Sequence, residues 1–430
     1  MKITYLIPGS GGTFYCGNCH RDLLYIRAIK KVQDFETSAI PLYLPPDHIS
    51  GENDFDPNVF FGAISMYLRE KVPFFEQMPA FMDKLLDSSP MLKIAARRAG
   101  TTRTEGLEDL TINMINGENR SRELEVRRLA NYLIRNSKPD IIHISNALII
   151  GLARQLKKYL DVRIVCSLQN EDDWINEMAE PYQGKAWKMI SEEAVNIDAF
   201  ISPSRYYKDF FVSKTGYSGN NIHIIPSGID VNQSIKTSIN HKFPAIGYYC
   251  RINYQNGFDK LVDAFIDLKS SKGMHDLTLH VCGGYTADDK PFINEQIKKI
   301  RDHGYKSYVK IYPEFHGTGK QQFFSNIDIM SVPVRKYDGY GLYLLEANAA
   351  GVPVVQPATG GFPEIIEITK GGIIYQPDTV DELSASLYNL LKDVDKLKML
   401  GENGRSRTGE LLSLEKMSIG LSAVYKSVLQ

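Results

Sequence analysis

Cysteine and tryptophan are scarce here, with five and two copies among 430 residues. An odd, scattered set of cysteines argues against the disulfide framework of a small secreted domain. Cys166, Cys250 and Cys282 each lie in an apolar, strand-like run and read as buried filler. Long apolar runs are also lacking. No stretch approaches the ~18 uninterrupted apolar residues of a membrane-spanning helix. The opening run 2–8 is too short for the core of an export signal and carries no cleavage site. Neither sign of charge prevails: 50 Lys and Arg stand against 51 Asp and Glu, a net charge of −1. No global field therefore draws the chain to nucleic acid. The expected location is cytoplasmic.

What is present is ordinary globular composition, 43% apolar and 23% charged, in a chain too long for one core. Short apolar runs alternate with helix-length amphipathic segments, the pattern of parallel sheets built from βαβ units. Strands are expected at 3–8, 39–44, 141–145, 162–168, 199–202 and 222–226, with helices at 20–32, 124–136, 149–160, 186–195 and 205–215. A polar, aperiodic stretch at 228–242 reads as a linker. The alternation restarts with strands at 245–250, 277–282, 309–312, 327–332, 352–356 and 372–375. Helices at 258–270, 292–302, 342–350 and 380–392 separate them. The fold class is α/β, two doubly wound Rossmann-like domains facing across a cleft at the carboxyl ends of their strands.

Residues 55–122 break this rhythm, rich in Phe and Met and then basic. A structureless loop of that length is improbable in a compact domain, so a helical insertion on the first domain is expected. The same mixture of apolar and basic side chains also suits an acceptor pocket or peripheral contact with the inner membrane face. After a polar break at 401–407, residues 413–429 form an amphipathic segment. The expected layout is a first domain over 1–235, a second over 236–412, and a last helix, 413–430.

The densest chemistry lies in the run Asp338-Gly339-Tyr340-Gly341-Leu342-Tyr343-Leu344-Leu345-Glu346, followed by Gly351-Val352-Pro353-Val354-Val355. A glycine-broken loop feeds a helix here, and N–H groups at Gly341 and Leu342 would offer a seat for a diphosphate. Asp338 and Glu346 would face one ligand, and carboxylates suit hydroxyl-rich partners because their oxygens accept hydrogen bonds from sugar or ribose. A plain βαβ turn accounts for any one of these residues better than for all of them.

The run resembles the signature of the family 4 retaining glycosyltransferases, with two acids separated by seven residues ahead of an Ala-rich, Gly-x-Pro-Val-Val segment. Gly360-Gly361-Phe362-Pro363-Glu364 is similar to that family's Gly-Gly-x-Pro-Glu turn, and Ile225-Pro226-Ser227-Gly228-Ile229-Asp230 to its inter-domain segment. The likeness runs in order along nearly the whole chain except 55–122. It implies the GT-B fold and hexosyl transfer with retention, from a UDP- or GDP-linked sugar to a glycan, lipid or small-molecule acceptor. Metal and further cofactors are not expected. The last helix would cross back to the first, acceptor-side domain.

By the same resemblance Glu346 binds the nucleotide ribose and Asp338, where the family usually has Glu, the sugar hydroxyls. Gly339, Tyr340, Gly341 and Leu342 line the donor, and Arg251 clamps its diphosphate, a role a guanidinium's two-point grip suits. Asn256 stands where the family has a second phosphate cation, Lys. Its absence motivates the rival reading, a non-catalytic nucleotide-sugar-binding module; Lys260 is a candidate substitute. Gly11 and Gly12, in the turn after the first strand, fall where donor or acceptor approaches the backbone.

Cys16-Gly17-Asn18-Cys19-His20 matches a haem-attachment pattern by letter, and the pair alone matches a redox motif. Haem attachment fits poorly with a chain lacking an export signal, and zinc would need two further ligands. Cys16 and Cys19 are therefore read as lining an acceptor-side pocket, with redox or metal chemistry as the alternative. Gln169 and Asn170 begin the loop Gln169-Asn170-Glu171-Asp172-Asp173, where the family often has a His near the reacting sugar. They are acceptor-side candidates, against the alternative of an acidic helix cap. His143, inside a strand, reads as core.

Overall fold

The computed structural model describes residues 1–9, 14–43, 104, 106–117, 120–231 and 244–430. The chain divides into two compact units. The first comprises Met1–Gly12, Asn18–Pro226 and Met417–Gln430; the second comprises Thr13–Gly17 and Ser227–Lys416.

Each unit is built on one six-stranded sheet, parallel throughout. In the first, β1 (Lys2–Ile7), β2 (Glu36–Pro41), β3 (Ile141–Ile144), β4 (Arg163–Ser167), β5 (Ala199–Ser202) and β6 (Ile222–Ile224) lie in the order β2-β1-β3-β4-β5-β6. In the second, β7 (Ala245–Tyr249), β8 (Thr278–Cys282), β9 (Val309–Tyr312), β10 (Ile329–Met330), β11 (Val354–Pro357) and β12 (Gly372–Tyr375) take the order β12-β11-β10-β7-β8-β9. The strands are short and rich in Ile and Val, and the central ones are buried along their whole length, as helices on both faces of a parallel sheet require. Strand order reverses beside β1 in the first sheet and beside β7 in the second, so a crevice opens at the carboxyl ends of β1 and β3, and of β7 and β10.

All twelve described strands fall on the apolar runs that mark them in the sequence, although β2 begins earlier, at Glu36. The helices Gly317–Phe324 and Phe362–Thr369 have no counterpart among the expected ones, being short and, in the first case, glycine-rich. The polar break at 401–407 is corrected outright: one helix, Val394–Leu411, runs through it. Gly401 and Gly404 are not breakers there but points of contact. A Cβ on Gly401 would lie 2.4 Å from the carbonyl oxygen of Gly351, and one on Gly404 would lie 3.0 Å from Gly371.

Residues 232–243, which include most of the expected linker, and most of 55–122 lie outside the described residues. The described part of that segment includes the helix Glu108–Asn116, whose Ile112 and Ile115 join the core of the first unit. Trp174 Nε1 donates to Thr111 Oγ1 at 2.9 Å, fastening it further. Cys166, Cys250 and Cys282 are free and buried. Cys16 and Cys19 are disulfide-bonded. They stand three apart around the start of the helix Gly17–Lys30, a spacing that brings side chains onto one face. Among the described residues, no helix is long and apolar enough to cross a membrane.

Candidate functional site

In the second unit, Arg251 leaves the end of β7 and Asp338 lies in the loop beyond β10, on adjacent strands at the point where the sheet order reverses. Arg251 is held rather than loose. Its Nε and Nη2 donate to Asp289 at 2.9 and 3.0 Å, and Nη2 reaches Thr286 Oγ1 at 3.1 Å. The Phe14 ring packs on its guanidinium, 4.7 Å from centroid to carbon.

Asn256 is only 6% exposed and holds its own loop in shape. Its Nδ2 donates to the Arg251 carbonyl at 3.0 Å, tying the loop back on itself. Lys260 Nζ, the candidate substitute, is paired with Asp378 at 2.7 Å. The loop is stitched to the one before Asp338. Arg335 N–H donates to Gln255 O at 2.9 Å, and its guanidinium grips Asp259 with both Nη atoms, at 2.7 and 2.6 Å.

Asp338 is buried and turned onto its own loop, its Oδ1 accepting from the N–H groups of Tyr340 and Gly341 at 3.0 and 2.8 Å. The N–H of Gly341, expected to be unpaired, is thus satisfied by the protein: a short carboxylate two or three residues before backbone N–H groups caps them locally. Tyr343 OH donates to Oδ2 at 3.3 Å, and Tyr340 OH donates to the Ser227 carbonyl at 3.1 Å. The Gly360–Gly361 turn presses against the same loop. A Cβ on Gly360 would fall 2.1 Å from Asp338 O, and one on Gly361 would fall 2.5 Å from Gly339 O. Leu342 starts the helix Leu342–Ala349, every residue of which is buried.

Glu346, on that helix, is 2% exposed. Lys320 Nζ lies 3.0 Å from its Oε1, and Tyr15 OH donates to Oε2 at 2.6 Å. Neither partner is marked by the sequence, because each comes from a distant segment. Burial and then the Glu346 charge push the Tyr15 phenol well above its ordinary range, so it stays a proton donor.

In the first unit a second polar cluster sits past the ends of β3 and β4. Gln169 is 4% exposed; its Nε2 lies 2.6 Å from Asp22 Oδ1 and 2.6 Å from the Ser145 carbonyl. Its Oε1 is buried without a hydrogen-bond partner in the structure. Ser145 Oγ donates to Asp22 Oδ2, and Arg21 donates to the carbonyls of Leu168 and Ser145. Burial pushes Asp22 up to about 6, against the pull of Arg21 and of the bonds from Ser145 and Gln169.

Asn170 takes a left-handed conformation ahead of the helix Glu171–Ile175. Glu171, fully buried, accepts from the N–H groups of Gln169 and Ala147 and from Tyr207 OH. That is a loop anchor of the cap kind. Asp22, Ser145 and Arg21 carry no sequence pattern that marks them. Gly11 and Gly12 lie outside the described residues. Among the described residues, no group of three or more His, Cys, Asp or Glu could hold a metal ion.

Two doubly wound parallel sheets, each reversing order at its ligand crevice, define the GT-B class of glycosyltransferases. Solved structures agree over the whole chain. Sucrose-phosphate synthase of Thermosynechococcus elongatus matches with a TM-score of 0.72 at 15% identity, covering 100% of this chain and 99% of that one. Anabaena Alr3699/HepE, in a complex with UDP and glucose, matches with a TM-score of 0.69 at 15% identity, covering 99% and 100%.

The family described as Glycosyl transferases group 1 matches residues 231–407, and Glycosyltransferase Family 4 matches residues 94–233. The chain belongs to these family 4-type glycosyltransferases. The lipopolysaccharide core biosynthesis mannosyltransferase LpsB of Rhizobium meliloti is 27% identical over 43% of this chain and 52% of its own length. A GDP-mannose-dependent phosphatidylinositol monomannoside mannosyltransferase of Mycobacterium tuberculosis is 24% identical over 48% and 56%. The matches span little more than half the length of these relatives.

Proposed function

We propose that this chain transfers a hexose, with retention, from a nucleotide diphosphate sugar to a hydroxyl of a glycan, lipid or small-molecule acceptor. The observation that carries the reading is the grouping of Arg251, Asp338 and Glu346 within the second unit, around the reversal of strand order. Glu346 takes the ribose and Asp338 the sugar hydroxyls. Arg251, braced by Asp289, turns its remaining Nη1 to the diphosphate, where negative charge grows as the bond to the sugar breaks. The leaving phosphate then accepts the acceptor's proton on the same face, and no separate protein base is needed. The buried cluster of Asp22, Ser145 and Gln169 supports the first unit as the acceptor side. Two mannosyltransferases among the relatives recommend GDP-mannose as the first donor to try, and the UDP-bound neighbour recommends UDP-glucose as the second.

A non-catalytic nucleotide-sugar binder is the rival reading, favoured by the engagement of Asn256 with its own loop in place of a second phosphate cation. A thermal-shift screen of GDP- and UDP-sugars, followed by an assay for release of free nucleotide diphosphate, decides between them. A ligand that binds the folded state alone raises the melting temperature. Binding with turnover supports the transferase. Binding with no release, with or without added acceptor sugars, supports the module, and no binding at all overturns both.

A further inference from the structure

Phe14 and Tyr15 follow β1 in the chain, yet they group with the second unit and lie on both residues assigned to the nucleotide. Tyr15 N–H donates to Gly283 O at 2.6 Å, and Phe14 forms an antiparallel bridge with Gly284, just beyond β8. From this backbone anchor the Phe14 ring covers the Arg251 guanidinium. The Tyr15 ring packs against Tyr249, 4.9 Å between centroids, and edge-on to Tyr343 at 6.3 Å. Its hydroxyl ends on Glu346 Oε2. A phenol donating to a carboxylate oxygen makes the bond that a ribose hydroxyl would make to the same oxygen. The other oxygen, Oε1, is held by Lys320 from the helix Gly317–Phe324.

Resting on the donor reading above, we propose that Glu346 receives the nucleotide ribose through Oε2, by exchange of the Tyr15 hydroxyl for a ligand hydroxyl. Lys320 is the positioning residue that fixes Oε1. Phe14 and Tyr15 are then an internal occupant of the nucleotide site. The apparent affinity for nucleotide falls below the intrinsic one by the fraction of molecules whose Tyr15 is withdrawn.

The test is calorimetric titration of UDP, GDP and their 2′,3′-dideoxy analogues into the full chain and three variants, Tyr15→Phe, Lys320→Met and Lys320→Arg. Tyr15→Phe removes the competing hydroxyl, and the better nucleotide should bind about ten-fold more tightly, the worth of one hydrogen bond to a charged group. Lys320→Met should erode the preference for ribose over dideoxyribose, and Lys320→Arg should restore it in part. A general loss of packing would weaken all ligands alike and would not respond to Arg. Unchanged or weaker nucleotide binding by folded Tyr15→Phe overturns the exchange. So does a ribose preference that is the same in Lys320→Met as in the wild type. If neither the wild type nor Tyr15→Phe binds any nucleotide, the donor reading itself fails, an outcome distinct from binding that ignores Tyr15.

Discussion

The hydroxyl of Tyr425, on the helix Leu414–Val428, lies 2.6 Å from Nδ1 of His143 in the middle of β3. The same hydroxyl meets Tyr5 OH on β1 at 3.0 Å, and His143 Nε2 meets Ser167 Oγ on β4 at 2.7 Å. Three neighbouring strands are thereby joined to the last helix through one buried chain of polar groups. Tyr425→Phe leaves the His143 and Tyr5 groups short of a partner inside the core. The expected cost is about 1–3 kcal/mol in the first unit, read by urea unfolding. Removing residues 413–430 goes further, exposing the apolar surface now covered by Met417, Leu421 and Val424. A truncated chain whose first unit keeps its melting transition would contradict this account.

Asp22 and His143 are both buried, and they bend the pH dependence of stability in opposite senses. Asp22 is raised to about 6, so between about pH 4 and 6 the native state holds a proton that the unfolded chain has lost, and stability falls as pH rises. His143 is lowered to about 3 by burial and by Arg21, so the unfolded chain binds a proton first, and stability rises with pH up to about 6.5. In the wild type the two slopes offset each other across the window where both apply. Asp22→Asn removes the first and should leave stability climbing with pH there. A variant with the wild type's slope would show that Asp22 titrates normally.

Gly401 and Gly404 make a sharper case for the second unit. Gly401→Ala drives a methyl into the Gly351 carbonyl from within a helix, and the helix must shift to accept it. Although alanine favours helix, the clash should prevail, costing about 1–3 kcal/mol, the usual range for overpacking. Gly409→Ala, on the same helix, meets among the described residues only Val231 methyls, at 3.8 Å, and should be neutral or slightly stabilising. Circular dichroism melts of the two variants provide the comparison.

Arg251→Ala should weaken donor binding by about ten- to a hundred-fold, the span expected for hydrogen bonds to a charged group. It also strands Asp289, 8% exposed, which loses its ion partner and should lower stability by about 3 kcal/mol. Adding Asp289→Asn should recover much of that stability and none of the affinity. Calorimetry and melting on both variants separate the two losses, and recovered affinity in the double variant would remove Arg251 from the phosphate.

Most of the fold was legible because a parallel sheet buried on both faces writes each strand as a short apolar run. The helix Val394–Leu411 was not, since glycines that admit a neighbouring backbone look in sequence like glycines that end a helix. At the site, the eight-residue step from Asp338 to Glu346 was readable as a loop and a helix turn serving one crevice. That Asp338 faces its own loop, that Asp289 braces Arg251, and that Tyr15 and Lys320 share Glu346 are pairings that no local pattern announces, most of them across long sequence distances. Asn256 showed its residue type but not its purpose, which depends on the Arg251 carbonyl folding back within reach.

The first unit is assembled from segments far apart in the chain, with Met417–Gln430 packed among strands made much earlier. During synthesis, therefore, the strands β1 to β6 leave the ribosome with one wall of their core still missing. The second unit, complete by Lys416, closes before it. Until the helix Leu414–Val428 arrives, the first sheet keeps an apolar side uncovered, the kind of surface through which unfinished chains aggregate. A chain cut after Lys416, in the first turn of that helix, has every residue assigned to the second unit but lacks a segment of the first.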